Sequence, residues 1–277
     1  MRLGTPETNP LPSTRREKPV LNMQVTSPEQ LTPELAAVGC DRLYLPLQLI
    51  SEHFDRVEPF IRAGATPVAV FPRVVTDSER GELLALLDRA KLFGIHEALV
   101  GNLGHVALAR QQGFDVRGDF GLNTFNSLSL RTLSEAGLLS ATASFELRLA
   151  QVRDMLKCID TELIVYGRLP AMVTDQCLIK NSVGHCACHT TAHMSDRKGS
   201  SFPVMREFGC RNVIYNSQKL FLADKKEDYE SIGLWGARLL FTTESSRECV
   251  EVARTYIGER NYLPNGYTRG LYYRGVE

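Results

Sequence analysis

No run of apolar residues in this chain reaches the roughly 18 that a membrane-spanning helix needs, so no helical membrane segment is expected. An excess of charge is missing too: 32 Lys and Arg balance 32 Asp and Glu, for a formal net charge of zero. No whole-molecule field then draws in nucleic acid or an anionic lipid surface, although a local basic patch stays open. The opening MRLGTPETNPLPSTRREKP has no apolar core and is not a secretory signal. Residues 1–19 read as a disordered leader, and the expected compartment is the cytoplasm. Disulfides are rare there, and the 7 cysteines, an odd number, do not complete a disulfide framework. They are left as core residues, metal ligands or catalytic thiols. The sequence also lacks a G-x-S-x-G elbow, an H-E-x-x-H pair, a Walker A loop and a G-x-G-x-x-G fingerprint. Ser144, His105 and Asp119 form a triad only if picked out from many candidates.

What is present is a globular composition, 43% hydrophobic and 23% charged over 277 residues, enough for a sizeable core. Eight short, mostly apolar runs read as strands buried on both faces. They are 20–25, 42–47, 66–71, 97–100, 114–118, 139–144, 162–166 and 237–242. Amphipathic stretches lie between them, at 28–38, 51–63, 77–93, 105–112, 127–136, 146–157 and 246–259. Caps mark several starts, with Ser27 before Pro28, Thr76 with Glu79, and Ser245 with Glu248. Gly39, Gly64, Gly94, Gly113 and Gly137 mark ends. Strand and helix alternating in this way predict an α/β fold, a (β/α)8 TIM-type barrel. An open doubly wound sheet is the alternative. Residues 20–277 form one expected domain.

One interval breaks the rhythm. About seventy residues separate strand seven from strand eight, roughly twice what a βα unit needs. Residues 167–236 therefore hold an insertion on the C-terminal face of the barrel, where active sites sit, and 224–235 supplies helix seven. The insertion contains Cys177, Cys186, Cys188 and Cys210 in a polar, loop-like segment. Cys40, Cys158 and Cys249 lie in or beside predicted elements and read as small buried hydrophobes. The spacing of the insertion four points to metal or cluster ligation, with zinc and iron–sulfur equally suited to thiolates. Paired C-x-x-C hooks are absent, which argues mildly against a zinc finger. His185, His189 or His193 can replace a thiolate, although each also reads as a solvated loop residue.

Polar residues just past strand ends are the other candidates. Asp119, Asn123 and Asn126 follow strand five, and Glu146 follows strand six. After strand seven come Arg168, in a Gly-Arg turn able to clamp an anion, and Met172. Gly104 and His105 follow strand four and offer helix-terminal amides to an anion. Helix capping is the plain alternative for Asn126, and a first-turn dipole for Glu146. Lys180, Arg197, Lys198, Arg206 and Arg211 make the insertion basic, as an RNA-tracking patch or a solvated surface.

VYGRLPAMVTDQC, MSDRKGSSFPV, GCRNVIYNS and the closing YTRGLYYRGV, together with GDFGLNTFNS and SFELRLAQ, resemble the collagenase-like peptidase family of unknown catalytic type, in its longer bacterial branch. The resemblance runs in order from about Val20 to the C-terminus. It implies one of two activities. The family takes its name from collagen degradation, while related members are iron–sulfur proteins that hydroxylate RNA or a quinone precursor without molecular oxygen. Those relatives hold a [4Fe-4S] cluster on four cysteines, which maps here onto Cys177, Cys186, Cys188 and Cys210. The Cys186–Cys188 spacing is tighter than the family's, and a histidine or Cys40 in place of one of them stays open. The family also implies a paired subunit of its own kind.

The resulting expectation is an iron–sulfur enzyme modifying RNA or a small aromatic molecule. A peptidase, with zinc or another mechanism and Glu146 or Glu207 as trial bases, is the first alternative. A barrel whose metal-stapled loop only orders a binding surface is the second.

Overall fold

The computed structural model describes residues 17–185, 187 and 191–274. Eight strands close into a parallel barrel: β1 (Val20–Gln24), β2 (Arg42–Pro46), β3 (Thr66–Val70), β4 (Glu97–Val100), β5 (Asp115–Gly118), β6 (Ser140–Thr142), β7 (Asp160–Gly167) and, much later, the strand Gly236–Leu240. That last strand pairs in parallel with β1 (Val20 opposite Gly236) and with β7 (Gly236 opposite Glu162), which closes the ring. All eight predicted strands are found, each within two residues of its expected ends.

The helices between them are α1 (Pro33–Ala36), α2 (Leu47–Arg62), α3 (Arg80–Leu92), α4 (Leu103–Gln111), α5 (Ser127–Glu135) and α6 (Leu149–Asp154). The predicted helix 28–38 is broken into a 3-10 turn, Pro28–Gln30, and the single turn α1, because Thr32 re-caps the chain ahead of Pro33. Thr76 and Glu79 form the expected capping box. Among the described residues no helix is long and apolar enough to cross a membrane.

Most apolar residues pack between strands and helices. Inside the barrel the apolar cluster is small, Tyr44, Val68 and Leu99 with Val70. The rest of the lumen is polar. Near the strands' N-terminal ends, Glu97 accepts from Arg42 (3.0 Å) and Arg117 (2.6 Å), and both guanidiniums lie over the ring of Trp235. Higher up, Glu162 accepts from Asn22 (2.6 Å), Tyr44 (3.0 Å) and Arg238 (2.7 Å). Buried charge is tolerated only when paired and fully hydrogen-bonded, and this lumen meets that condition.

After β7 the chain leaves the barrel at Gly167, whose φ is 120°. A Cβ there would land on the carbonyl oxygen of Leu240. The insertion is not the loop-like segment expected. It contains β8 (Pro170–Thr174), α7 (Leu178–Val183), β9 (Ala192–Ser195), β10 (Ser201–Arg206) and β11 (Asn212–Tyr215), and its strands form an antiparallel sheet in the order β8-β11-β10-β9. Ile179, Val204 and Ile214 give it a core of its own. The strands escape a reading by hydropathy because β9, AHMS, is mostly exposed, while β10 buries only Pro203 and Val204. β12 (Lys219–Phe221) then runs antiparallel beside β7. The expected helix 224–235 shrinks to α8 (Lys226–Glu230), ahead of the closing barrel strand β13 (Gly236–Leu240). α9 (Ser246–Tyr256) and β14 (Tyr267–Thr268) follow.

Candidate active site

A cavity of about 350 Å³ lies between the C-terminal ends of the barrel strands and the underside of the insertion. Gln24, Val70, Asp119 and Leu240 come from the barrel, while Met205, Glu207, Phe208 and Tyr215 come from the insertion. α2 supplies Gln48, Leu49, Glu52 and His53, and its helical path is interrupted at His53 (φ −135°, ψ 34°). A volume of this size suits a small molecule or one projecting group of a larger one.

Asp119, Glu207 and Arg73 are central to the cavity's chemistry. Asp119 follows β5, and its Oδ1 accepts from the amide of Phe120 (2.9 Å) and from Nη1 of Arg238 (2.8 Å). Glu207 follows β10; its Oε1 accepts from the amide of Arg73 (3.0 Å), and its buried Oε2 has no partner. Burial pushes the Glu207 carboxyl above its ordinary pKa, partly opposed by the Arg73 amide and by the charges of Arg73 and Arg211. The Arg73 guanidinium lies 5.2 Å from the centre of the Phe120 ring.

Of the predicted residues, Asp119, the trial base Glu207 and Arg206 line this cavity. Asn123 adopts a left-handed conformation (φ 51°) and closes a 3-10 turn, and Asn126 caps α5 through the amide of Ser129. Glu146 and Met172 are exposed. Arg168 turns its Nη1 onto the carbonyls of Asn216 and Ser217, so it clamps the protein's own backbone. The Gly104 amide is already capped by Asn102 (2.9 Å). His105 is buried with its Nδ1 unpartnered, and burial lowers its pKa, so it is biased against positive charge. Gly104 and His105 therefore do not assemble an anion site. Lys180, Arg197 and Lys198 are exposed. Arg211 is not: it is 3% exposed and holds Glu79 (2.8 Å) and Asp175 (3.0 Å). It anchors the insertion to the β3–α3 loop and has no face left for RNA.

Cys177 and Cys210 are drawn to one corner of the insertion sheet. Asn212 Oδ1 accepts from the amides of Leu178 (2.6 Å) and Ile179 (3.4 Å), which holds the turn after Cys177 against the strand that follows Cys210. The turn bearing Cys210 is closed by Glu207 N to Arg211 O (2.7 Å), so one tight turn carries a cavity carboxyl and a thiol. Cys210 itself has φ 60°, a left-handed conformation unusual for a residue with a Cβ. Cys177 is half-buried and Cys210 exposed. Cys186, Cys188 and His189 lie outside the described residues. Among the described residues no three His, Cys, Asp or Glu side chains form a metal-binding group. Cys40 enters β2 at the opposite end of the barrel, and burial pushes its thiol up to about 12. It does not stand in for an insertion cysteine.

A family model described as peptidase family U32 matches residues 57–199, just over half of the chain. The chain belongs to peptidase family U32. No curated protein matches it. Among solved structures, the U32 peptidase Mk0906 is 13% identical, with 88% of this chain and 100% of that one covered at a TM-score of 0.49. The spore cortex-lytic enzyme SleL of Bacillus cereus is 8% identical over 91% of this chain and 76% of its own, at 0.45.

In this U32 barrel the matched segment contains Asp119 and Cys177, whereas Glu207, Cys210 and Arg238 follow it. Arg238 and Arg73 had escaped the reading of the sequence. Arg238 did leave a signal, a lone cation within the apolar run GARLLF, which only a buried partner explains. Arg73, in FPRVV, left none.

Proposed function

We propose that this U32 chain is an iron–sulfur enzyme that modifies, by oxygen-independent hydroxylation or related chemistry, a small aromatic molecule or an RNA base inserted into the cavity. The observation that carries this reading is the Glu207–Arg211 turn, which contains both the exposed Cys210 and the cavity carboxyl of Glu207. A non-glycine residue held in a left-handed conformation is a cost that functional sites tolerate. Thiolate donors suit a cluster, and Cys177 with Cys210 would hold it together with Cys186 and Cys188. Zinc is the other metal those donors accept. A bound cluster would supply electrons or an open iron. The chain's own part is to seat the substrate against Phe120 and Tyr215, with the carboxyls of Asp119 and Glu207 in reach. A cavity of about 350 Å³ suits one ring system.

Peptide hydrolysis is the second reading, favoured by the family itself and by Glu207, whose raised pKa suits a general base.

Iron, sulfide and zinc analysis of anaerobically purified protein tests the first reading. Iron and sulfide in near-equal amounts, lost in Cys177→Ser and Cys210→Ser, support it. Colourless protein carrying stoichiometric zinc overturns it.

A further inference from the structure

We propose that Asp119 and Glu207 are the cavity's proton-handling pair, Asp119 taking a proton from the bound molecule and Glu207 returning one to an oxygen or nitrogen of it. This deepens the reading above and rests on it only in taking the cavity as the place of chemistry.

The two carboxyls come from opposite walls. Asp119 stands at the mouth of the barrel, and Glu207 hangs from the insertion. Both hydrogen bonds of Asp119 fall on Oδ1, from Phe120 and Arg238, so among the described residues Oδ2 has no protein partner. Arg238 supplies a fully buried positive charge on that side. Glu207 has the complementary surroundings. Its Oε1 is taken by the Arg73 amide, and its Oε2 is buried without a partner. Charged and titratable groups acting on it are Arg73 from the loop after β3, Arg211 from its own turn and Tyr215 from β11, while Glu52 and His53 of α2 and Arg206 line the same cavity. Burial outweighs these cations and favours the protonated acid.

The Arg73 amide holds Glu207, and the Arg73 side chain and Asp119 both border Gly101. A Cβ built on Gly101 would sit 3.8 Å from both Arg73 Cγ and Asp119 Cβ. One carboxyl beside a buried guanidinium and one buried with an unpartnered oxygen are the kind of arrangement that divides base from acid. The exchange is neutral in electrons. One proton leaves for Asp119 Oδ2, one arrives from Glu207 Oε2, and solvent at the mouth resets both.

A probe reaction reads this without the natural substrate. In 5-nitrobenzisoxazole ring opening, the C–H proton goes to the base and the N–O bond breaks as the nitrile forms. The phenolate oxygen then takes the acid's proton. Catalysis of this reaction should fall by roughly 100-fold or more in Asp119→Asn and by a smaller factor in Glu207→Gln. Carboxyl 13C NMR of the same protein should show one glutamate still protonated where the others have ionised. That signal should be absent in Glu207→Gln and should titrate at higher pH in Arg73→Met, because the guanidinium favours the ionised form. Equal probe rates in wild type and Asp119→Asn, or a Glu207 that titrates with the other glutamates, overturn the pair. Iron content measured on the same variants keeps that failure distinct from failure of the cluster reading.

Discussion

Arg238 and Glu162 face each other inside the barrel lumen, the first side chain fully buried and the second 2% exposed. Arg238 Nε lies 2.7 Å from Glu162 Oε2, and Arg238 Nη1 reaches Gln24 (3.0 Å) and Asp119 (2.8 Å). One guanidinium thus joins β13 to β7, β1 and the end of β5. Removing it leaves two carboxylates buried without their cation, at a cost of about 3–5 kcal/mol. Urea denaturation of Arg238→Met should show a loss in that range. The double variant Arg238→Met/Glu162→Gln should recover part of it, because the uncompensated charge at Glu162 is gone.

A second ion pair fastens the insertion to the barrel and should respond to acid. Hydrogen bonding to Arg211, helped by the Thr76 amide, lowers the Glu79 carboxyl from 4.5 to about 2. A depressed carboxylate stabilises the folded state fully above its unfolded pKa and loses that contribution as pH falls through the folded one. The contribution of Glu79 should therefore be complete above about pH 4.5 and fade toward pH 2. Arg211→Met should cost about 1.5–3 kcal/mol near neutrality. Protease sensitivity within 170–215, followed from pH 5 to 3, should rise in wild type. In Glu79→Gln it should start high and change less.

The barrel was legible because its strands are short apolar runs with glycine stops. What hydropathy does not reveal is which face of a strand looks inward. In VLNMQ the polar Asn22 and Gln24 alternate with Leu21 and Met23, a pattern that ordinarily marks a solvated face. Here the polar face lines the lumen, where Asn22 binds Glu162 and Gln24 binds Arg238. The site was less legible for a related reason. Asp119 stood out by its place after a strand, but Arg211 is as basic in sequence as Lys198. Only the fold brings Glu79, 132 positions away, against it. The turn after Cys177 is tied to the strand after Cys210 by Asn212, an amide that no ligand spacing points to.

Gly167 should be irreplaceable even by alanine. Its φ of 120° is open essentially to glycine alone, and an added Cβ meets the Leu240 carbonyl oxygen where β7 and β13 close the ring. The backbone conformation alone should cost about 1–3 kcal/mol, and the overlap adds to it. Thermal unfolding of Gly167→Ala should fall well below that of Gly233→Ala. Gly233 also has positive φ (75°), but its Cβ would meet nothing within 4 Å.

Asn212 offers the sharpest separation between barrel stability and the cysteine corner. It is fully buried, and its Oδ1 takes two amides from the turn after Cys177 while its Nδ2 donates to the Arg211 carbonyl (3.0 Å). Asn212→Leu removes the acceptor and leaves the Leu178 amide without its partner, at a cost of about 1–3 kcal/mol. None of these bonds reaches a barrel strand, so the loss should fall on the insertion. The variant should keep the far-ultraviolet circular dichroism of the barrel and bind less iron per chain, with faster release to a chelator. Asn212→Asp retains the acceptor oxygen and gives up only the bond to Arg211. It should hold more iron than Asn212→Leu. Equal metal content in the two would show that the Cys177 turn does not depend on Asn212 to keep its thiol in place.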